Sequence, residues 1–219
     1  MPRPIHASVD LEAFRHNYRL ACDLAGPRRL ALAVVKANAY GHGLLPCAGA
    51  IRDIAQGYAL LDLEEAAILR DADLRQPILL LEGFFHPQDL RSVRDLDLTP
   101  VVHSAEQVKM LAGLTAGDRP LNLFLKVNTG MNRLGFPVHQ VLGVLERLRG
   151  LPAVGEVVLM THFADADGAA GVAEQLARFA PLQATVAGRV SVANSATLLR
   201  FPDQAGDTVR PGIMLYGGA

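Results

Sequence analysis

The residues able to do chemistry cluster in a few short stretches. AVVKANAYGHG, residues 33–43, brings the amine of Lys36 to the end of an apolar run and follows it at once with Asn38, Tyr40 and His42 among glycines. Partial burial lowers a lysine's pKa and makes its neutral amine a nucleophile for a carbonyl, which is what Schiff-base chemistry requires. The same position also suits a snorkelling lysine whose stem packs along an apolar rim. FLKVN places a second lysine, Lys126, among Phe124, Leu125 and Val127, with Arg133 following in NTGMNRLG. Two cations close together in an apolar setting call for a partner: a carboxylate, a bound anion, or a carbamate on the uncharged Lys126 amine.

Three further stretches add to these. THFADAD carries His162, Asp165 and Asp167, but no second histidine and no HExxH pattern, so His162 reads as a hydrogen-bonded strand-end histidine and no metal site is expected. VANSAT supplies the Ser195 hydroxyl, and VRPGIMLYGG can supply backbone N–H groups at Gly212 and Ile213, a pattern that suits a phosphate. P-loop and dinucleotide glycine fingerprints are missing, which points to a monophosphate cofactor.

Such groups need a scaffold that brings them together. Apolar runs begin at Leu30, Tyr58, Pro77, Leu98, Leu121, Val157, Val190 and Thr208 and read as buried strands. Amphipathic stretches lie between them, such as DLEEAAILRDA and VHQVLGVLERLRG. Ser104 with Gln107 fits a capping box, Asp62 an N-cap, and Pro137 a first helical turn. Alternating strand and helix predicts an α/β fold with a parallel sheet, and eight strands predict a (β/α)₈ TIM barrel. Barrel sites lie at the C-terminal strand ends, where Lys36, Asp62, Glu82, His103, Lys126 with Asn128, His162, Asn194 with Ser195, and Arg210 fall. For Asp62, Glu82 and His103 the simpler reading is that loops begin there. IHASVDL reads as an extra strand outside the barrel, before a helix carrying Leu11, Phe14, Tyr18 and Ala21 that could cover the gap after strand eight.

Composition narrows the class. Of 219 residues half are apolar, and 21 Lys plus Arg face 22 Asp plus Glu, so no basic footprint of a nucleic-acid binder is present. Cys22 and Cys47 form no CxxC pair and read as buried thiols in a reducing compartment. The opening residues lack the apolar stretch of a signal peptide and no run is long enough to span a membrane, so a cytoplasmic protein is expected.

AVVKANAYGHG, KVNTGMNRLGF, THFADAD, ANSA and VRPGIMLYG, in this order, resemble the N-terminal domain of bacterial alanine racemases, pyridoxal-phosphate enzymes of fold type III. The likeness covers essentially the whole chain. It implies that Lys36 holds pyridoxal 5'-phosphate as an internal aldimine and moves one proton at the substrate α-carbon. It implies that Tyr40, Ser195, Gly212 and Ile213 hold the phosphate and that Arg210 faces the pyridine nitrogen. Arg133 matches the arginine that contacts the cofactor's phenolic oxygen and the substrate carboxylate. Lys126 stands where relatives often carry a carbamate, and His162 matches a histidine near the ring that supports Arg210.

Racemisation needs an acid/base group on each face of a planar intermediate, and one lysine cannot serve both. In the family a tyrosine of a C-terminal β-domain, contributed by the neighbouring subunit of a homodimer, serves the second face. The resemblance therefore implies a truncated racemase of alanine that lacks this β-domain, with residues 1–11 belonging beside it and little turnover by the isolated segment. Two rivals stay open: a single-domain pyridoxal-phosphate-binding protein of vitamin B6 homeostasis without turnover, and an imine-forming aldolase of another class.

Overall fold

The computed structural model describes residues 4–114, 119–186 and 188–218. Eight barrel strands run in parallel: β1 (Leu30–Ala31 and Ala33–Val34), β2 (Tyr58–Leu60), β3 (Ile78–Leu80), β4 (Leu98–Val102), β5 (Leu121–Asn128), β6 (Val154–Met160), β7 (Val190–Ser191) and β8 (Thr208–Val209). Leu30 pairs with Thr208 and Ala31 with Val209, so β1 meets β8, and β1 also pairs with β2. Arg210 N–H donates to the Ala193 carbonyl at 3.0 Å, linking the ends of β7 and β8. The expected closed (β/α)₈ barrel is observed.

Period-two alternation builds two cores. Leu32, Val34, Ala59, Leu79, Val101, Phe124, Val158 and Met160 pack inside the barrel. The alternate residues, such as Ala33, Leu80, Leu125 and Leu159, face the helices. These helices include α1 (Leu11–Ala25), α2 (Leu44–Ala50), α3 (Leu63–Asp71), α4 (Asp89–Asp95), α5 (Ala105–Ala112), α6 (Val141–Arg149), α7 (Ala173–Thr185) and α8 (Ser195–Arg200).

Helix α1 buries Phe14, Tyr18, Ala21 and Ala25, one stripe at helical spacing, and Asp10 caps it by accepting from Ala13 N–H. It lies over the barrel closure. Tyr18 Oη donates to the Ala31 carbonyl at 2.9 Å and accepts from Gln56 N–H at 2.8 Å, and Asn17 reaches the Leu215 carbonyl. The gap after β8 is covered as the sequence suggests. Asp62 accepts from Glu65 N–H, and Ser104 from Gln107 N–H, as expected for caps.

Several expectations are corrected. IHASVDL forms no strand here: residues 4–10 are exposed and irregular, and no described strand pairs with them; residues 1–3 lie outside the described residues. Cys22 is only half-buried, while Cys47 is buried. Pro137 does not enter a first helical turn but pairs with β5 and immediately precedes the 3₁₀ turn Val138–Gln140. Among the described residues no helix is long and apolar enough to cross a membrane.

Candidate active site

The inward period carries the chemistry to the barrel mouth. Inward positions run Leu32, Val34 and then Lys36 beyond β1; Phe124 and then Lys126 on β5; Val158, Met160 and then His162 beyond β6. At each of these three strand ends the next inward step replaces an apolar side chain with an ionisable one. Lys36, Lys126, His162 and Arg210 thereby meet at one cleft of about 230 Å³. Tyr40, Arg133, Asn194, Ser195, Gly212 and Ile213 complete its walls, while Asp62, His103 and Asn128, also at strand ends, do not line it. Glu82 and the exposed Asp167 also line it.

Lys36 lies just past the strand ladder, where the chain leaves β1 in an unusual turn. Ala37, Asn38, Ala39 and Tyr40 all have φ of 53°, a left-handed helical turn of four L-residues. Each such residue costs about 1–2 kcal/mol against the right-handed form. The turn is held by Ala39 N–H to the Val35 carbonyl at 2.9 Å and Gly41 N–H to the Ala37 carbonyl at 3.0 Å. Asn38 Oδ1 accepts from Leu44 N–H at 2.8 Å, and the carboxylate of Glu65 on α3 accepts from both Ala37 and Asn38 N–H. Burial first, and then Arg133, holds the Lys36 ammonium below the ordinary lysine pKa, while Glu82 opposes them. A neutral amine is thus within easier reach.

Lys126 is 5% exposed, and its pKa is pushed down to about 8 by burial, then by Arg210 and Arg133. Arg133 projects from the loop after β5 and is exposed, with no ion pair among the described residues. That loop is shaped by Asn128 Oδ1, which accepts from Gly130 and Asn132 N–H, and by Gly135 at φ of 114°. A Cβ on Gly135 would lie 2.9 Å from Asn128 N, so only glycine lets the loop lie back against β5.

Arg210 is 4% exposed and bonded to neutral acceptors, the Ser191 hydroxyl and, at 2.8 Å, the Thr161 carbonyl. Burial weakens its hold on the proton, yet a guanidinium remains charged near neutrality. The direct support for Arg210 comes from Ser191 and Thr161, the latter adjacent to His162. His162 itself is pushed down to about 3 by burial and then by Arg210, Lys126, Arg133 and Lys36. It is a neutral imidazole at pH 7.

At the other end of the cleft, Ser195 Oγ accepts from Gly212 N–H at 2.8 Å and Met214 N–H at 3.2 Å, leaving its own O–H to donate elsewhere. A Cβ on Gly212 would lie 2.7 Å from Tyr40 Oη, so glycine makes room for the phenol. Tyr40 stacks on Tyr216 with centroids 4.7 Å apart, and Tyr216 Oη donates to the Val34 carbonyl. Lys36, Lys126, Arg133 and Arg210 outnumber the two carboxylates, so the cleft favours an anionic ligand. A hydroxyl cradle at one end and an amine at the other are groups of the kind that would suit pyridoxal phosphate, which carries a phosphate and an aldehyde. Among the described residues no group of three His, Cys, Asp or Glu could hold a metal ion.

Asp62 and His103 fit the simpler reading, since Asp62 caps α3 and the His103 ring nitrogen lies 3.0 Å from the Glu82 carbonyl, whereas Glu82 lines the cleft and acts on Lys36 and Lys126. Sequence reasoning passed over Glu65, Ser191 and Gln175. Gln175 ties the Thr129 hydroxyl, the His162 carbonyl and the Ala164 N–H together. Only Glu65 carried a local signal, the Asp62-x-x-Glu65 spacing of a capping box.

A sequence profile of the alanine racemase N-terminal domain matches residues 9–219. The alanine racemase of Cupriavidus necator is 48% identical over 219 residues, covering 100% of this chain and 58% of that protein. That of Azoarcus sp. is 50% identical over 217 residues, covering 98% of this chain and 61% of that protein. The crystal structure of the biosynthetic alanine racemase from Pseudomonas aeruginosa superposes with a TM-score of 0.89 at 44% identity, over 96% of this chain and 59% of that one. The chain thus spans about three-fifths of the length of the relatives it matches.

Proposed function

The chain belongs to the alanine racemase family by its N-terminal domain, and from that premise we propose that it is the pyridoxal 5'-phosphate-binding barrel of an enzyme interconverting L-alanine and D-alanine. The observation that carries this reading is the half-buried Lys36 amine, lowered in pKa, facing a cleft whose far end holds Tyr40, Ser195 and Gly212. When bound, the cofactor supplies an aldehyde for that amine and a ring that withdraws electrons from the substrate α-carbon.

The protein's own groups divide the remaining work. Lys36 takes the α-proton as a neutral amine, or returns it as an ammonium, on one face of the substrate. Arg133, at the rim and without an ion pair among the described residues, holds the substrate carboxylate in a bidentate grip that orients the α-proton. Lys126 stands behind it as the site of a carbamate that would give Arg133 an anion. Arg210, an obligate cation with neutral partners, opposes protonation of a ring nitrogen set against it and so limits carbanion side reactions. Neutral His162 fills the floor without adding a further positive charge.

The second face needs a different group. Tyr18, Tyr58 and Tyr216 donate their hydroxyls to the carbonyls of Ala31, Ala48 and Val34, and Tyr40 belongs to the phosphate end. The reading assigns the second proton-transfer group to a C-terminal β-domain of a neighbouring subunit in a homodimer, with the exposed segment 4–10 packing beside such a domain. It assigns the protein to the cytoplasm, in keeping with its free cysteines.

The test is borohydride reduction after addition of pyridoxal phosphate, followed by peptide mass spectrometry. A pyridoxyl label on Lys36 is expected, and label absent from Lys36 would overturn the reading. Robust D-alanine formation by these 219 residues alone would overturn the assignment of the second base to another domain.

A further inference from the structure

We propose that Glu65 is the positioning residue for Lys36: its carboxylate holds the left-handed turn of residues 37–40 from outside and so aims the Lys36 amine and the Tyr40 phenol into one cleft. The inference rests on the reading of Lys36 as the cofactor lysine.

Glu65 stands in the first turn of α3, three residues after its N-cap Asp62. In a capping box such a glutamate would reach back to the N-cap backbone. Here Asp62 still takes Glu65 N–H, but both oxygens of Glu65 turn to another loop, Oε1 to Asn38 N–H and Oε2 to Ala37 N–H at 3.2 Å. These amides open the turn, and an opening amide has no acceptor within its own helix. The turn's internal bonds begin only at Ala39.

The residues held this way resist their own preference. Ala37, Asn38, Ala39 and Tyr40 are L-residues in the left-handed region, and only Asn38 belongs to a type that visits it readily. Lys36 and Tyr40 bracket the turn and both line the cleft, so its hand sets where the amine and the phenol point. Arg133 and Glu82 act on the charge of the Lys36 amine, Lys126 is coupled to it, and the contacts of Glu65 are to backbone amides. Glu65 therefore acts on the backbone, not on the charge of the amine.

The experiment compares the wild-type protein with Glu65→Ala and Glu65→Gln. Amide exchange at Ala37 and Asn38 is read without cofactor, and the rate of borohydride-trapped pyridoxyl labelling of Lys36 is read across pH. In Glu65→Ala, exchange at these amides is expected to rise about tenfold and labelling to slow about tenfold, with the pH midpoint of labelling unchanged. Glu65→Gln keeps one carbonyl acceptor and is expected to fall between, and it carries the test if the alanine variant does not fold. Wild-type exchange at both amides overturns the proposal, and so does a shifted midpoint with unchanged exchange, which would make Glu65 a charge partner of the amine. If wild-type Lys36 takes no label, the cofactor reading fails by itself and amide exchange still decides the role of Glu65.

Discussion

Ser191 Oγ donates to the Thr208 carbonyl at 2.7 Å and accepts from Arg210 Nη1, so one buried hydroxyl ties β7 to β8 and fixes the guanidinium at the barrel mouth. Replacing it by alanine leaves an arginine N–H and a backbone carbonyl without this partner in a site closed to water. Ser191→Ala is expected to cost about 1–3 kcal/mol, read as a lower urea midpoint at unchanged slope. Stability equal to wild type would mean that the hydroxyl does not hold Arg210.

At Gly212 the obstacle to a side chain is steric: a new methyl would meet Tyr40 Oη at 2.7 Å. Gly212→Ala is expected to displace the phenol and weaken pyridoxal phosphate binding about tenfold, the worth of roughly one hydrogen bond to a charged group. Fluorescence titration with the cofactor measures this. Global stability should change little, since Tyr40 is already 36% exposed.

His162 makes the fold sensitive to acid. Its native pKa of about 3 lies below the ordinary value of 6.5, so the unfolded chain binds a proton that the native state refuses. Stability from this group is complete above pH about 6.5 and drains as pH falls toward 3, by up to about 1.4 kcal/mol per pH unit. Chemical denaturation from pH 7 to pH 4 should show a smaller loss in His162→Asn than in wild type. Parallel curves would show that the native imidazole takes up its proton as readily as the unfolded one.

Lys126 should take up carbon dioxide. With its pKa pushed down to about 8, a useful share of the amine is neutral under mildly alkaline conditions. Addition forms an N–C bond, releases a proton and leaves an anion in reach of Arg133. Carbon-13 NMR with labelled bicarbonate is expected to show a carbamate resonance that grows as pH rises through about 8 and disappears in Lys126→Met. A spectrum without that resonance would leave the cation pair to be balanced by a bound anion instead.

How far the sequence could be read depended on whether a signal was local. Runs such as LNLFLKVN and VVLMTHF announce buried strands because parallel barrel strands are apolar on both faces, and Lys126 and His162 stand out where that pattern breaks. The turn chemistry around Asp62 and Ser104 was legible for the same reason, since a cap and its helix lie within four residues. IHASVDL carries a strand-like alternation but is irregular here, since alternation makes a strand only where a sheet edge is free to accept it, and no described strand pairs with residues 4–10.

Thus the period of two and the residue types at each strand end determined, by sequence alone, the barrel and the convergence of Lys36, Lys126, His162 and Arg210. The tertiary structure alone decided the left-handed hand of residues 37–40, the hold of Ser191 on Arg210, and the diversion of Glu65 from its own helix cap to a loop 27 residues earlier. Apolar periodicity is repeated along the chain and is visible in any window of it. A hydrogen bond between distant segments is a single event, made where folding brings an unsatisfied N–H beside an oxygen, and no local pattern records that meeting.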